Sequence, residues 1–432
     1  MNLLYIVMII FLAFLNFILR KLLGRGFSIA KLHNYVWLFT FSVYLLNPFG
    51  YYDISIIVIV YSFIYILVFN ITFLVMKRRK SLSVIDLEKI QSDIDKLHVK
   101  TYILILLSAL SWLFSFQRLV TVFNIILTRG MSALRTLVYY GDIYTTVEKL
   151  AYQYFIQPLF MITIIIGVEM IVFSENHKKN AVMIGVALTN AVVYSMLFGG
   201  RALLLIILLY MIYALLIRNC GNLLRLIMKN RKVLALFLVL VVLIGVYASM
   251  RVNRQWGIIG EFVIYVTGSL GYLSRVLELD LIQPFSLFGR GLLGGVFDTF
   301  GLAVRVFGYK IELTSQIYSD VVTDFIVIGD GISTNYTATI MTTFLMEAGV
   351  FGLVYGAIFF GAFCSIVEDR FIGNNNLLNL SIYIYVTNMA FESIQNYTLK
   401  SVVVVFVLIY MVLFFNPYKI IIGRRKNEKN HE

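Results

Sequence analysis

Apolar runs of about 16 to 28 residues, each long enough to cross a hydrocarbon core, recur from one end of the chain to the other, separated by short polar segments. They predict helices at roughly 2–19, 33–48, 53–76, 102–125, 151–173, 181–198, 202–217, 233–249, 339–366, 377–394 and 401–417. One of the two shortest, 33–48, ends in Asn47–Pro48. No stretch alternates polar and apolar residues for long, which argues against a membrane β-barrel. The pattern predicts an all-α, polytopic membrane protein of about eleven transmembrane helices. It divides the chain into eight spans over 1–249, a long loop 250–338, three spans over 339–417 and a basic tail 418–432.

Composition agrees, with 60% of the 432 residues hydrophobic and only 14% charged. The net charge of +13 would suit a nucleic-acid partner, but the basic residues sit in short loops between the spans, where they orient a protein in the bilayer. With the N-terminus outside, the inward segments hold 24 of the 36 Lys and Arg residues. Six of the remaining 12 lie in the loop 250–338, and long loops translocate whatever their charge. The expected topology is therefore N-out and C-in. The first run has no basic residue before it and Arg20–Lys21 after it, as expected of an uncleaved first span. Cys220 and Cys364 fall on or near the inner side and imply no disulfide framework.

The outward charges comprise nine arginines and three lysines, Lys149, Lys310 and Lys400. Orientation needs only positive charge, whereas a planar fork of donors suits phosphate or carboxylate. All four histidines are expected on the cytoplasmic side, which leaves the outer face without an imidazole base or the commonest metal ligand.

Candidate chemistry gathers at that outer face. Gly199–Gly200–Arg201 precedes the apolar run 202–217, and Arg251 and Arg254 open the long loop three residues apart. The stretch 260–280 reads as an interfacial or half-buried helix. Gly289 and Gly291 bracket Arg290 in a turn able to bring backbone N–H groups near an anion. Ser333, Thr334, Asn335, Tyr336 and Thr337 lead into the ninth span, which carries Glu347. Plainer readings stand beside these. Arg201 would also serve as a snorkelling anchor, Arg251 and Arg254 as interfacial charges, and Gly352–Gly356 as a helix-packing pair. Glu169 is expected to reach the cytoplasmic interface.

The segments FGGRALL, MRVNR, LFGRGLLGG and STNYTATIMTTFLMEAGVFGLVYGAIFFG, spread over about 190–365, resemble the Wzy-type O-antigen or oligosaccharide repeat-unit polymerases. Arg290 and Gly301 also fit an Arg-x10-Gly pattern found in some members. Where the family commonly has aspartate before a glycine of its late helix, this chain has Glu347-Ala348-Gly349. The resemblance implies a GT-C-like glycosyltransferase of the bacterial inner membrane, independent of metal and of cofactor. It would join two undecaprenyl-diphosphate-linked oligosaccharides, as donor and acceptor, into lipopolysaccharide O-antigen or capsule. By resemblance Arg201, Arg251, Arg254, Arg290 and Glu347 would be catalytic, and Gly199, Gly200, Asn335, Tyr336 and Thr337 would bind substrate. A chain-length regulator and a flippase would be partners, and nucleic acid would not. An O-antigen ligase is the nearest alternative, but by resemblance it requires a histidine in the large external loop. A lipid-linked oligosaccharide flippase would need charges within several spans and would lack the long loop. A membrane O-acyltransferase would need a histidine inside the membrane.

Overall fold

Residue spacing sets the first helix against the rest of the protein. In α1 (Asn2–Leu23) the buried residues Tyr5, Met8, Leu12, Leu15, Leu19 and Leu23 recur every three or four positions and line one face. The opposite face, with Leu3, Ile6, Ile10, Phe14 and Phe17, is exposed and equally apolar. Water would make such a face an aggregation site, whereas hydrocarbon makes it neutral.

The structure is a computed structural model describing residues 1–24, 26–79, 85–140, 143–175, 177–198, 202–220, 257–335 and 338–415. It is an all-α membrane protein. Among the described residues six helices are long and apolar enough to cross a membrane, and Leu205–Arg218 and Val402–Phe415 are shorter apolar helices. The only strands among those residues, β1 (Ile326–Gly329) and β2 (Ile332–Thr334), form one antiparallel hairpin. The expected eighth span, 233–249, lies outside the described residues.

After α1 come α2 (Ile29–Leu46), α3 (Ile56–Met76), a short amphipathic α4 (Leu87–Lys96) and α5 (His98–Tyr140). The last runs well past the expected end at 125 and breaks at Gly130, φ 78°. The fifth span begins earlier than expected, as α6 (Thr146–Ala151), a π-helical turn Tyr152–Ile156 and α7 (Gln157–Phe173). Pro158 accounts for the wide turn: its ring would press on the carbonyl four residues earlier, and a π turn leaves it room. From Pro158 to Phe173 every residue of α7 is buried, so this helix is central. It packs closely on α8 (His177–Phe198), where a Cβ on Gly167 would stand 2.6 Å from that of Ala187. Helix α9 (Ala202–Arg218) completes this side.

The loop 250–338 is largely helical in its described part, with α10 (Gly257–Thr267), α11 (Ser269–Glu278), α12 (Gly294–Val306) and α13 (Thr314–Val322). The expected interfacial helix 260–280 is thus two helices, and α11 packs into protein. Tyr44 Oη accepts from Gly271 N at 2.8 Å, and Ser274 Oγ accepts from Ser55 N at 2.9 Å.

The largest departure is the ninth span. Helix α14 (Thr339–Gly373) is broken at Ala348 (φ −160°, ψ 38°) and Gly349 (φ 60°, ψ −138°). Its short arm, 339–347, doubles back along its long arm, 350–373. A Cβ on Gly352 would lie 2.0 Å from the Phe344 carbonyl oxygen, and one on Gly356 would lie 2.5 Å from the Phe344 ring. The pair Gly352 and Gly356 is therefore the bed for the fold-back, a packing role. Helices α15 (Leu377–Glu392) and α16 (Val402–Phe415) follow.

The long arm lies along α3, with Phe69 and Phe360 rings 5.8 Å apart. At its far end Lys77 Nζ reaches Glu368 Oε1 at 3.0 Å and Asp369 Oδ1 at 2.8 Å, almost out of solvent. Ser28 Oγ and Ile29 N donate to Glu368 Oε2 at 3.0 and 2.8 Å. Residues 350 and 369 are roughly 29 Å apart at helical rise, about one bilayer core. The break in α14 and the Lys77 cluster thus stand at opposite ends of the bundle.

Candidate functional site

At the broken end, the carboxylate of Glu347 closes the short arm and the turn 287–291 wraps it. Gly289 N donates to Glu347 Oε1 at 2.8 Å, and Gly291 N donates to Oε2 at 2.5 Å. Leu287 N donates to the Met346 carbonyl at 3.1 Å, which ties the turn to the backbone of the arm as well. Glu347 is only 3% exposed. A Cβ on residue 291 would sit 2.4 Å from Oε2, so an anion can approach that N–H only over a glycine. Gly289 sits at φ 76° with open space around its missing Cβ; its requirement is conformational.

The turn expected to hold an anion thus holds one, and the anion is Glu347, the second candidate from the far side of the loop. The Arg290 side chain is half-buried; its Nη1 donates to the Glu312 carbonyl at 3.2 Å and forms no ion pair with Glu347. Asn335 is buried, and its Nδ2 donates to the Thr323 carbonyl at 3.0 Å, tying the hairpin to the end of α13. Arg201, Arg251, Arg254, Gly199, Gly200, Tyr336 and Thr337 lie outside the described residues.

A second polar cluster adjoins the turn. Tyr397 Oη donates to the Leu292 carbonyl at 2.6 Å, and the Tyr397 ring is 5.0 Å from that of Phe344. Three residues on, Lys400 is buried under α12 and α13. Its Nζ donates to Asn396 Oδ1 at 2.5 Å and lies over the Tyr318 ring. Burial pushes its amine well below the usual value, and no carboxylate among the described residues offsets the lost hydration. Burial likewise pushes the Tyr318 hydroxyl up. Asp298 accepts from Thr314 N at 2.6 Å and Ser315 N at 2.9 Å, capping the start of α13 against α12.

Counting Lys400 among the outward charges missed this burial. The sequence shows a lysine at a helix end, and only the packing of Gly294 and Gly295 against 400–401 covers it. Glu392 was also passed over. It ends α15, where Asn388 Nδ2 donates to Oε1 at 2.8 Å, and an acid within the apolar run 377–394 was the available signal.

One expectation is corrected. Glu169 does not reach an interface: it is fully buried in α7, with Ser381 Oγ donating to Oε1 at 2.8 Å. His33, the first residue of the expected second span, lies fully buried in α2, stacked 4.0 Å from the Phe69 ring. Trp37 Nε1 donates to His33 Nε2 at 3.2 Å, so the ring is neutral there with its proton on Nδ1, facing Asn34 Oδ1. Histidine placement therefore no longer argues against an acyltransferase, although this imidazole has its lone pair engaged and lies at the Lys77 end.

Among the described residues no three His, Cys, Asp or Glu side chains gather as a metal site. Comparison with protein-family models, curated proteins and solved structures finds no match.

Proposed function

We propose that the chain is a polysaccharide polymerase that joins undecaprenyl-diphosphate-linked oligosaccharide repeat units at the outer face of the bacterial cytoplasmic membrane. The observation that carries this reading is the turn at 289–291, which chelates a carboxylate through two backbone N–H groups beside an arginine that has no acidic partner among the described residues. Such a turn can hold phosphate oxygens by the same two bonds, and the guanidinium adds charge where a diphosphate leaving group develops it. The sidedness of the short-loop charges supports an outer location, since the Lys77 end carries the basic segment 77–100 and the Arg290 end does not. The motif resemblance supplies the substrate class. Arg201, Arg251 and Arg254 would complete the anion-binding set, with about eleven spans and an N-out, C-in topology. Donor energy resides in the lipid diphosphate, so the reaction needs no nucleotide.

The test is reconstitution. Purified protein given lipid-linked repeat units should make polymer in excess EDTA; activity that disappears and returns only with magnesium or manganese would refute the metal-independent form of the reading.

A second reading, a lipid-linked oligosaccharide flippase, is favoured by one observation, the fully buried Glu169 in the central helix. The two differ in what a deletion strain displays: single capped repeat units for a missing polymerase, none for a missing flippase.

A further inference from the structure

We propose that the Gly289–Gly291 turn is a diphosphate-binding site and that Glu347 is a tethered anion that fills it until the ligand takes its place. The inference rests on the reading that the Arg290 end handles lipid-linked diphosphates, and it adds how the site is kept and opened. Two oxygens of one carboxylate engage two N–H groups two residues apart, at 2.8 and 2.5 Å. Two oxygens of a phosphoryl group present a similar bite. The lack of a side chain at 291 allows an anion within contact distance of the backbone, a feature that a turn needs only if something charged docks there.

Arg290 lies between the two N–H groups, yet its guanidinium bonds the neutral Glu312 carbonyl and leaves the carboxylate alone. A purely structural tie would have paired them, because burial makes an unpaired carboxylate costly and an arginine stands beside it. Instead the cation is kept for another anion. Glu347 also sits at the end of the short arm, directly before the two residues where α14 breaks, so its side chain can leave the turn without unwinding a continuous helix. Binding then exchanges one anion for another of greater charge that also engages Arg290.

The test uses the full chain in nanodiscs of neutral lipid, with three probes: inorganic pyrophosphate, farnesyl diphosphate, and discs containing phosphatidylglycerol. Glu347→Gln weakens the tethered competitor and should bind pyrophosphate at least tenfold more tightly than the unaltered protein, and farnesyl diphosphate at least as well. Gly291→Ala added to Glu347→Gln should abolish the gain. Equal or weaker pyrophosphate binding by Glu347→Gln overturns the proposal, and so does phosphatidylglycerol acting as well as the diphosphates. If Glu347→Gln does not fold, carbodiimide labelling of Glu347 in the unaltered protein decides. Saturating pyrophosphate should increase labelling, and unchanged or reduced labelling refutes displacement. No sugar enters these assays, so pyrophosphate exchange in a protein whose deletion leaves surface glycan intact would sink the polymerase reading alone. Polymer synthesis without exchange would sink this one alone.

Discussion

The two glycines of the anion turn differ in what a methyl group would do, and the difference can be measured. An alanine at 291 would place its Cβ 2.4 Å from Glu347 Oε2 and 3.2 Å from Cδ, so the carboxylate must retreat and lose its 2.5 Å bond. A charge-assisted hydrogen bond of this kind contributes about 1.5–3 kcal/mol. An alanine at 289 meets nothing within 4 Å but must adopt φ 76°, a strain of about 1–2 kcal/mol that involves no other side chain. The single-variant costs overlap, and a double-mutant cycle separates them. In an Glu347→Ala background, Gly291→Ala no longer collides with a carboxylate, so the coupling should be about 1.5–3 kcal/mol. Gly289→Ala should cost the same in both backgrounds, with coupling under about 0.5 kcal/mol. Reversible unfolding by SDS in mixed micelles gives the four free energies. Coupling under ~0.5 kcal/mol at 291, or equal coupling at both positions, would refute the clamp geometry.

Further outcomes follow from other parts of the molecule. At the opposite end, Lys77→Met strands Glu368 as a buried charge and should cost about 3–5 kcal/mol in the same titration, with much of the loss recovered by adding Glu368→Gln. Lys400 is held well below its ordinary 10.5, so the unfolded chain binds more protons between the lowered folded value and 10.5. Stability should therefore rise with pH across that window, and Lys400→Met should flatten the rise; a fall with pH in the unaltered protein would contradict the burial of its amine away from any described carboxylate. Arg201→Lys should reduce turnover roughly ten- to a hundredfold at normal membrane abundance if the guanidinium grips diphosphate through two bonds, and wild-type glycan ladders from that variant would return Arg201 to an anchoring role. Cysteine at exposed position 309 should react with an impermeant thiol reagent in intact cells, and cysteine at exposed position 88 should not; the reverse pattern would invert the topology.

Much of the architecture was legible because bilayer helices depend on runs of apolar residues, and composition shows such runs directly. The spans before 76 were placed to within a few residues, apart from the start of α2, where Ser28 begins the helix before hydropathy rises. Hydropathy averages over what lies inside a run, and that is where the reading failed. Thr339 to Gly373 is apolar enough to pass as one span, yet the chain reverses within it, because Gly349 takes a positive φ and Gly352 and Gly356 make room for Phe344. Nothing in a single sequence distinguishes those glycines from a straight helix-packing pair. The partnership of Glu347 with the turn spans 56 to 58 residues and depends on that reversal, so Glu347 and Arg290 were each visible as candidates while their neighbourhood was not. His33 and Lys400 show the same limit for charge: counting places a residue near a helix end, and only packing decides whether it faces water.

The central claim, that the chain joins lipid-linked repeat units, is tested most directly by the surface glycan of a strain lacking it, separated on a gel beside the parent. A missing polymerase leaves each carrier with one repeat, still exported and still attached, so the ladder should collapse to a single capped unit and return when the gene is restored. An unchanged ladder, or the loss of even the single unit, would contradict the account.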